Sequence, residues 1–122
     1  MYEAHVLNHY SDPYHKGPLP DGPEEVHRGR DVSTVCGDEV TIEARINGGV
    51  ITEIWWQGDG CCFSQAAASM LVKCAEQTSV AHMLKFSDSD LFELFQAEYP
   101  DARRGCILVS LKALRKLLES HQ

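Results

Sequence analysis

The sequence predicts an α+β fold: a small antiparallel sheet of about three strands packed against helices, with one helix at the N-terminus and a helical C-terminal half. Three observations predict it. Apolar and polar residues alternate from Val40 to Ile46, the period of a sheet with one buried face. After Gly58-Asp59-Gly60 the period turns helical and stays so. The strands come first and the helices second, without the alternation of a parallel sheet.

Taken in order, Tyr2, Val6, Leu7 and Tyr10 fall at helical spacing and predict a short amphipathic helix over residues 2–10. The stretch from Asp12-Pro13 to Gly22-Pro23 is rich in Pro and Gly and predicts an extended connection. A strand is expected within Val26 to Val35. The alternation of Val40, Ile42, Ala44 and Ile46 is the clearest strand, and Asn47-Gly48-Gly49 supplies the positive-φ residues of a hairpin turn. The return strand holds Ile51, Ile54, Trp55 and Trp56. Ile51 and Ile54 lie three apart, which predicts a bulge, with Trp56 packed inward and Trp55 outward.

Ala67, Met70, Leu71, Cys74 and Ala75 then form one face of a helix from Cys62 to Gln77. Ser87-Asp88-Ser89-Asp90 reads as a capping box opening a helix with Leu91, Leu94 and Phe95. A last helix starts near Cys106, with Ile107, Leu111, Leu114 and Leu118 on one stripe. There are no internal repeats.

The 122 residues are one domain's worth and are expected to form a single domain over 1–122. With 43% hydrophobic and 24% charged residues the composition is that of a globular chain. A formal net charge of −7 argues against nucleic-acid binding, which needs a basic face. No apolar run is long enough for a bilayer span, so no membrane partner is expected. The start Met1-Tyr2-Glu3-Ala4-His5 has neither the basic segment nor the apolar stretch of a secretion signal. The expected compartment is therefore the cytoplasm, where the five cysteines would be thiols rather than disulfides.

Three of those cysteines stand where the backbone changes state. Cys36 precedes Gly37-Asp38 at the start of the clear strand, Cys61 follows Gly60 and opens a helix, and Cys106 follows Gly105 and opens another. A thiol at a helix N-terminus faces unpaired N–H groups that favour the thiolate, the form that binds soft metals and attacks sulfur. Arg103 and Arg104 beside Cys106 push the same way. The three cysteines are 25 and 45 positions apart, so any shared site is assembled by the fold and not by a local knuckle. Three Cys with Asp38 suit tetrahedral zinc, or an iron–sulfur cluster with one weak oxygen ligand.

Nearly the whole chain resembles the U-type iron–sulfur scaffold family: the IscU scaffolds, the N-terminal domain of NifU and the SufU sulfur-transfer proteins. The resemblance runs through Tyr2 and His9-Tyr10-Ser11-Asp12-Pro13, Cys36-Gly37-Asp38, Gly58-Asp59-Gly60-Cys61-Cys62-Phe63-Ser64, Ala68-Ser69-Met70 and Arg103-Arg104-Gly105-Cys106. It implies that Cys36, Asp38, Cys61 and Cys106 hold a transient 2Fe-2S cluster, or Zn2+ as an alternative or as-purified occupant. It implies a cysteine desulfurase, an iron donor and apo iron–sulfur acceptor proteins as partners, and a monomer or weak homo-oligomer. In a scaffold the implied sulfur acceptor is Cys106, with Arg103 supporting it; in a SufU-like zinc-dependent sulfurtransferase it is Cys36. The first of these roles is not that of an enzyme, whereas the second is.

Two departures bear on the choice. Gly105 stands where IscU proteins have a histidine, and Glu98-Tyr99-Pro100-Asp101-Ala102 replaces their Leu-Pro-Pro-Val-Lys chaperone-docking segment. The missing histidine favours the SufU side, but the insertion SufU proteins carry between the second and third cysteines is missing too. Cys74, on the stripe with Met70, is expected in the core, Cys62 is expected to be incidental, and the histidines, His27 and His82 included, are expected outside the site.

Overall fold

The computed structural model describes residues 3–34 and 37–121. The elements in chain order are α1 (Ala4–Ser11), β1 (His27–Val32), β2 (Glu39–Asn47), β3 (Val50–Asp59), α2 (Cys62–Ala75), α3 (Val80–Leu84), α4 (Asp88–Phe95), a 3-10 turn (Asp101–Arg103) and α5 (Arg104–His121). The three strands form one antiparallel sheet in the order β1-β2-β3.

The β2–β3 hairpin closes on Gly48 and Gly49, both at positive φ (60° and 76°), the turn whose twist matches that of the strands. Two pairs on, the register shifts: Arg45 opposes Glu53 and Ile46 opposes Ile51, which leaves Thr52 as the extra residue. That bulge lets Ile51 and Ile54, three apart, both point inward with Trp56, while Trp55 faces outward and stacks on His15 at 4.3 Å. Val40, Ile42 and Ala44 complete the inner face.

Against this face lie α2 and α5. The backbone of α5 reaches β1 at Gly29, where a Cβ would collide with the carbonyl of Ala113 and come within 2.6 Å of the Leu117 nitrogen. The expected stripe Ile107, Leu111, Leu114 and Leu118 is buried, and Leu108, Val109, Ala113 and Leu117 join it. Helix α4 opens with the expected capping box, Ser87 and Asp90 bonding each other's backbone N–H.

The extended connection is fastened rather than loose. His15 and Gly17 pair with both backbone groups of Trp56, and Thr78, Gln77 and Val80 bond to Ile51 and Gly49, so both ends of the β3 edge are covered. Arg45, on the outer face, is only 4% exposed and donates to the carbonyls of Pro20 and Glu24. Sequence alternation gave no sign of that burial, nor of α3. In α1 only Val6 is buried, whereas Leu7 and Tyr10 are over 40% exposed, so the expected apolar stripe is narrower; Tyr2 lies outside the described residues. Among the described residues no helix is long and apolar enough to cross a membrane.

Candidate metal centre

The site forms where the β1–β2 turn, the end of β3 and the starts of α2 and α5 meet. Gly37 makes the first turn possible at φ +69°, with its N–H bonded to the Ser33 carbonyl and the Ser33 N–H bonded to the Asp38 carbonyl. Asp38 is 2% exposed. Its Oδ1 accepts the backbone N–H of Cys61 at 3.1 Å and its Oδ2 faces Cys61 Sγ at 3.6 Å. A buried carboxylate held this way is no ordinary turn residue; it also takes one of the orphan donors at the start of α2.

Gly60 gives the carboxylate its space. A Cβ there would overlap Asp38 Oδ1 and lie 2.6 Å from Ser64 Oγ, and its φ of +154° disfavours any side chain. Cys61 is the N-cap residue of α2, with extended backbone, and Cys106 is the third residue of α5, fully buried. One ligand atom each from Asp38, Cys61 and Cys106 lie within 4.8 Å of one another. Two thiolates and a carboxylate are a donor set that zinc and iron accept. Around a tetrahedral ion with sulfur at about 2.3 Å, ligand atoms sit about 3.7 Å apart, so this set closes on a metal with movements of about 1 Å. Cys36, the fourth expected ligand, lies outside the described residues.

One expectation needs correcting. Cys61, Cys62 and Cys74 are free thiols, but Cys106 is disulfide-bonded. The reduced chain is therefore the one that offers Cys106 as a donor beside Asp38 and Cys61.

The two arginines ahead of Cys106 differ. Arg104 lays its guanidinium over the Phe92 ring at 4.3 Å and donates to the Tyr99 hydroxyl at 3.4 Å, so its charge is committed to α4 and the segment just after it. Arg103 is half-buried and, among the described residues, its side chain has no hydrogen-bond or ion-pair partner. Cys62 is half-buried and stays outside the cluster. Cys74 is not in the core as expected: it is half-buried and lines a surface pocket of about 550 Å³ with His82, Lys85, Asp90 and Glu93, and burial pushes its thiol pKa up. His27 packs edge-on to His121 at 4.7 Å, away from the cluster.

The family described as NifU-like N terminal domain matches residues 1–122. The chain belongs to that family. Among relatives, the zinc-dependent sulfurtransferase SufU of Bacillus subtilis (strain 168) is 26% identical over 135 aligned positions, covering 95% of this chain and 88% of SufU. The iron-sulfur cluster assembly scaffold protein IscU of Escherichia coli (strain K12) is 21% identical over 122 positions, covering 99% of this chain and 94% of IscU. The crystal structure of a nitrogen-fixing NifU-like protein (N-terminal) from Brucella abortus superposes with a TM-score of 0.71 at 21% identity, covering 96% and 91% of the two chains. The α+β architecture is thus the fold of this NifU-like family.

Proposed function

We propose that the protein is a scaffold for iron–sulfur cluster assembly. It takes persulfide sulfur from a cysteine desulfurase, receives iron, and builds a 2Fe-2S cluster on Cys36, Asp38, Cys61 and Cys106 for transfer to apo acceptor proteins. The observation that carries the reading is the convergence of Asp38, Cys61 and Cys106 to within 4.8 Å in a member of the NifU-like family. The cluster is cargo, so a ligand that lets go easily is useful. Asp38, the one oxygen donor, is the weakest partner for iron in the set.

Sulfur transfer follows from thiol chemistry. The Cys106 thiolate attacks the outer sulfur of the donor's persulfide, and the donor cysteine leaves as a thiolate, so sulfur moves with no net redox change. Turning that sulfur into sulfide takes two further electrons, from an external thiol or a ferredoxin-type reductant. The Cys106 position in the first turn of α5 favours the thiolate, and Arg103, in the turn just before that helix, adds positive charge to the same segment.

A second reading, a SufU-like zinc-dependent sulfurtransferase, has the SufU match and Gly105 in its favour. In that reading the same residues hold zinc and Cys36 accepts sulfur. Against it, the SufU alignment needs 135 positions against a chain of 122, so SufU carries residues this chain lacks, while the IscU alignment needs none beyond 122.

The deciding experiment uses reduced, oxygen-free protein with a cysteine desulfurase, cysteine and ferrous iron. The scaffold reading expects visible sulfur-to-iron charge-transfer bands, matching iron and sulfide contents, and persulfide first on Cys106 by peptide mass spectrometry. A colourless protein with one zinc, carrying persulfide first on Cys36, replaces it with the second reading.

A further inference from the structure

The turn that delivers Cys61 is held by side chains outside the donor set. Its last two carbonyls are both taken by the first turn of α2: Ser64 Oγ donates to the Cys61 carbonyl at 3.0 Å, and Gln65 Nε2 donates to the Gly60 carbonyl at 2.8 Å. Gln65 Oε1 in turn accepts from Lys16 Nζ at 2.6 Å. An ammonium group only donates, so Lys16 forces the amide oxygen toward itself and the amide nitrogen toward Gly60. Lys16 is itself fixed. Its neighbours His15 and Gly17 are bonded to the backbone of Trp56, and its ammonium lies 5.2 Å from the centre of the Trp56 ring.

The peptide unit that Gln65 grips joins Gly60 to Cys61. Gly60 has no side chain to restrict it, so without the Gln65 bond this peptide is held only at its N–H end, by Asp38 Oδ1 at 3.1 Å, and rotation about that one anchor moves the Cys61 sulfur directly. A metal site tolerates errors of only a few tenths of an ångström in its ligand atoms.

We propose that Gln65, oriented by Lys16, is a positioning residue for Cys61, so that docking of residues 14–17 on β3 sets how tightly the site holds a metal. The inference rests on Cys61 being a ligand, as read above. It ties the N-terminal segment to the metal centre through three successive groups: an ammonium, an amide and a carbonyl.

Two variants separate the links. Gln65→Glu keeps an acceptor for Lys16 but loses the donor to Gly60; Lys16→Met keeps the donor but loses what orients it. The probe is cobalt(II) added to reduced protein, read by its visible spectrum and by competition with a chelator. Gln65→Glu is expected to weaken cobalt binding about tenfold and shift the visible bands, the size typical of groups that orient metal ligands. Lys16→Met, at an exposed position that leaves the fold intact, is expected to weaken it about threefold, and it carries the test alone if the glutamate variant does not fold. Cobalt binding that Cys61→Ser abolishes but that is unchanged in both variants overturns this proposal and leaves the ligand set standing. Binding that Cys61→Ser also leaves unchanged removes the ligand set and this proposal with it.

Discussion

Helix α2 has a cysteine near each end, and the two ends make different chemistry of the same side chain. At the start, Cys61 sits on the orphan N–H groups with a buried carboxylate 3.6 Å from its sulfur and a second sulfur, that of Cys106, in reach. Near the finish, Cys74 is desolvated, and that burial raises its pKa. Position along a helix, more than residue type, separates a candidate ligand from a bystander. The first end gathers groups from two other segments, Asp38 from the β1–β2 turn and Cys106 from α5, while the second merely lines a surface pocket.

The sharpest way to break that contrast is to replace each thiol in turn. Cys61→Ser is expected to lower metal occupancy by about a hundredfold or more, because a hydroxyl is a poor ligand for a borderline-soft ion. Cys74→Ser should leave occupancy unchanged, as measured by metal content after dialysis against a weak chelator. In the intact protein, alkylation of Cys74 should rise only above the ordinary thiol range, since burial holds its proton on. Occupancy lost with Cys74→Ser and kept with Cys61→Ser would reverse the roles of the two ends.

Gly60→Ala tests what builds the first end. The new methyl group overlaps Asp38 Oδ1 and crowds Ser64 Oγ, so the carboxylate or the turn must shift. The expected cost is about 1–3 kcal/mol of stability, from strain at this φ and displacement of Asp38, read by chemical denaturation. Metal affinity should fall with it. A variant as stable as the parent, with unchanged affinity, would mean that Asp38 does not need the space Gly60 leaves.

What the sequence revealed of these features divides by range. The hairpin at Gly48-Gly49, the bulge at Thr52 and the capping box at Ser87 are written in residues a few positions apart, and all three are found. Asp38 and Cys61 were legible as candidates through the glycines beside them. What escaped is long-range. Arg45 is buried by carbonyls more than 20 positions away, and Lys16 meets Gln65 across 49 positions. No periodicity in either segment announces such a meeting. Cys74 shared an apolar stripe with Met70, yet the stripe passes the edge of the core there, as Leu7 and Tyr10 also do on α1.

The smallest expected effect lies on the far side of α2, where α1 docks. His9 Nδ1 lies 2.7 Å from Ser69 Oγ, a fully buried hydroxyl that also accepts the Tyr14 N–H at 2.7 Å. With the imidazole neutral and its proton on Nε2, the Ser69 hydroxyl donates a hydrogen bond to His9 Nδ1 while its oxygen accepts from the Tyr14 N–H. Burial first, then the nearby charges of Lys73 and His5, lower the His9 pKa below its ordinary 6.5. The unfolded chain therefore binds a proton at His9 before the folded one does, so the stability it contributes is complete above pH 6.5 and declines as pH falls through 6.5 toward the lower folded value. His9 is half-buried, so solvent screens the effect and it should stay under about 1 kcal/mol. Urea denaturation at pH 7.5 and 5.5 measures it. The parent protein should lose more stability between the two values than His9→Gln, whose amide bonds Ser69 without titrating. Parallel losses would place the acid sensitivity elsewhere and leave the docking of α1 insensitive to pH in this range.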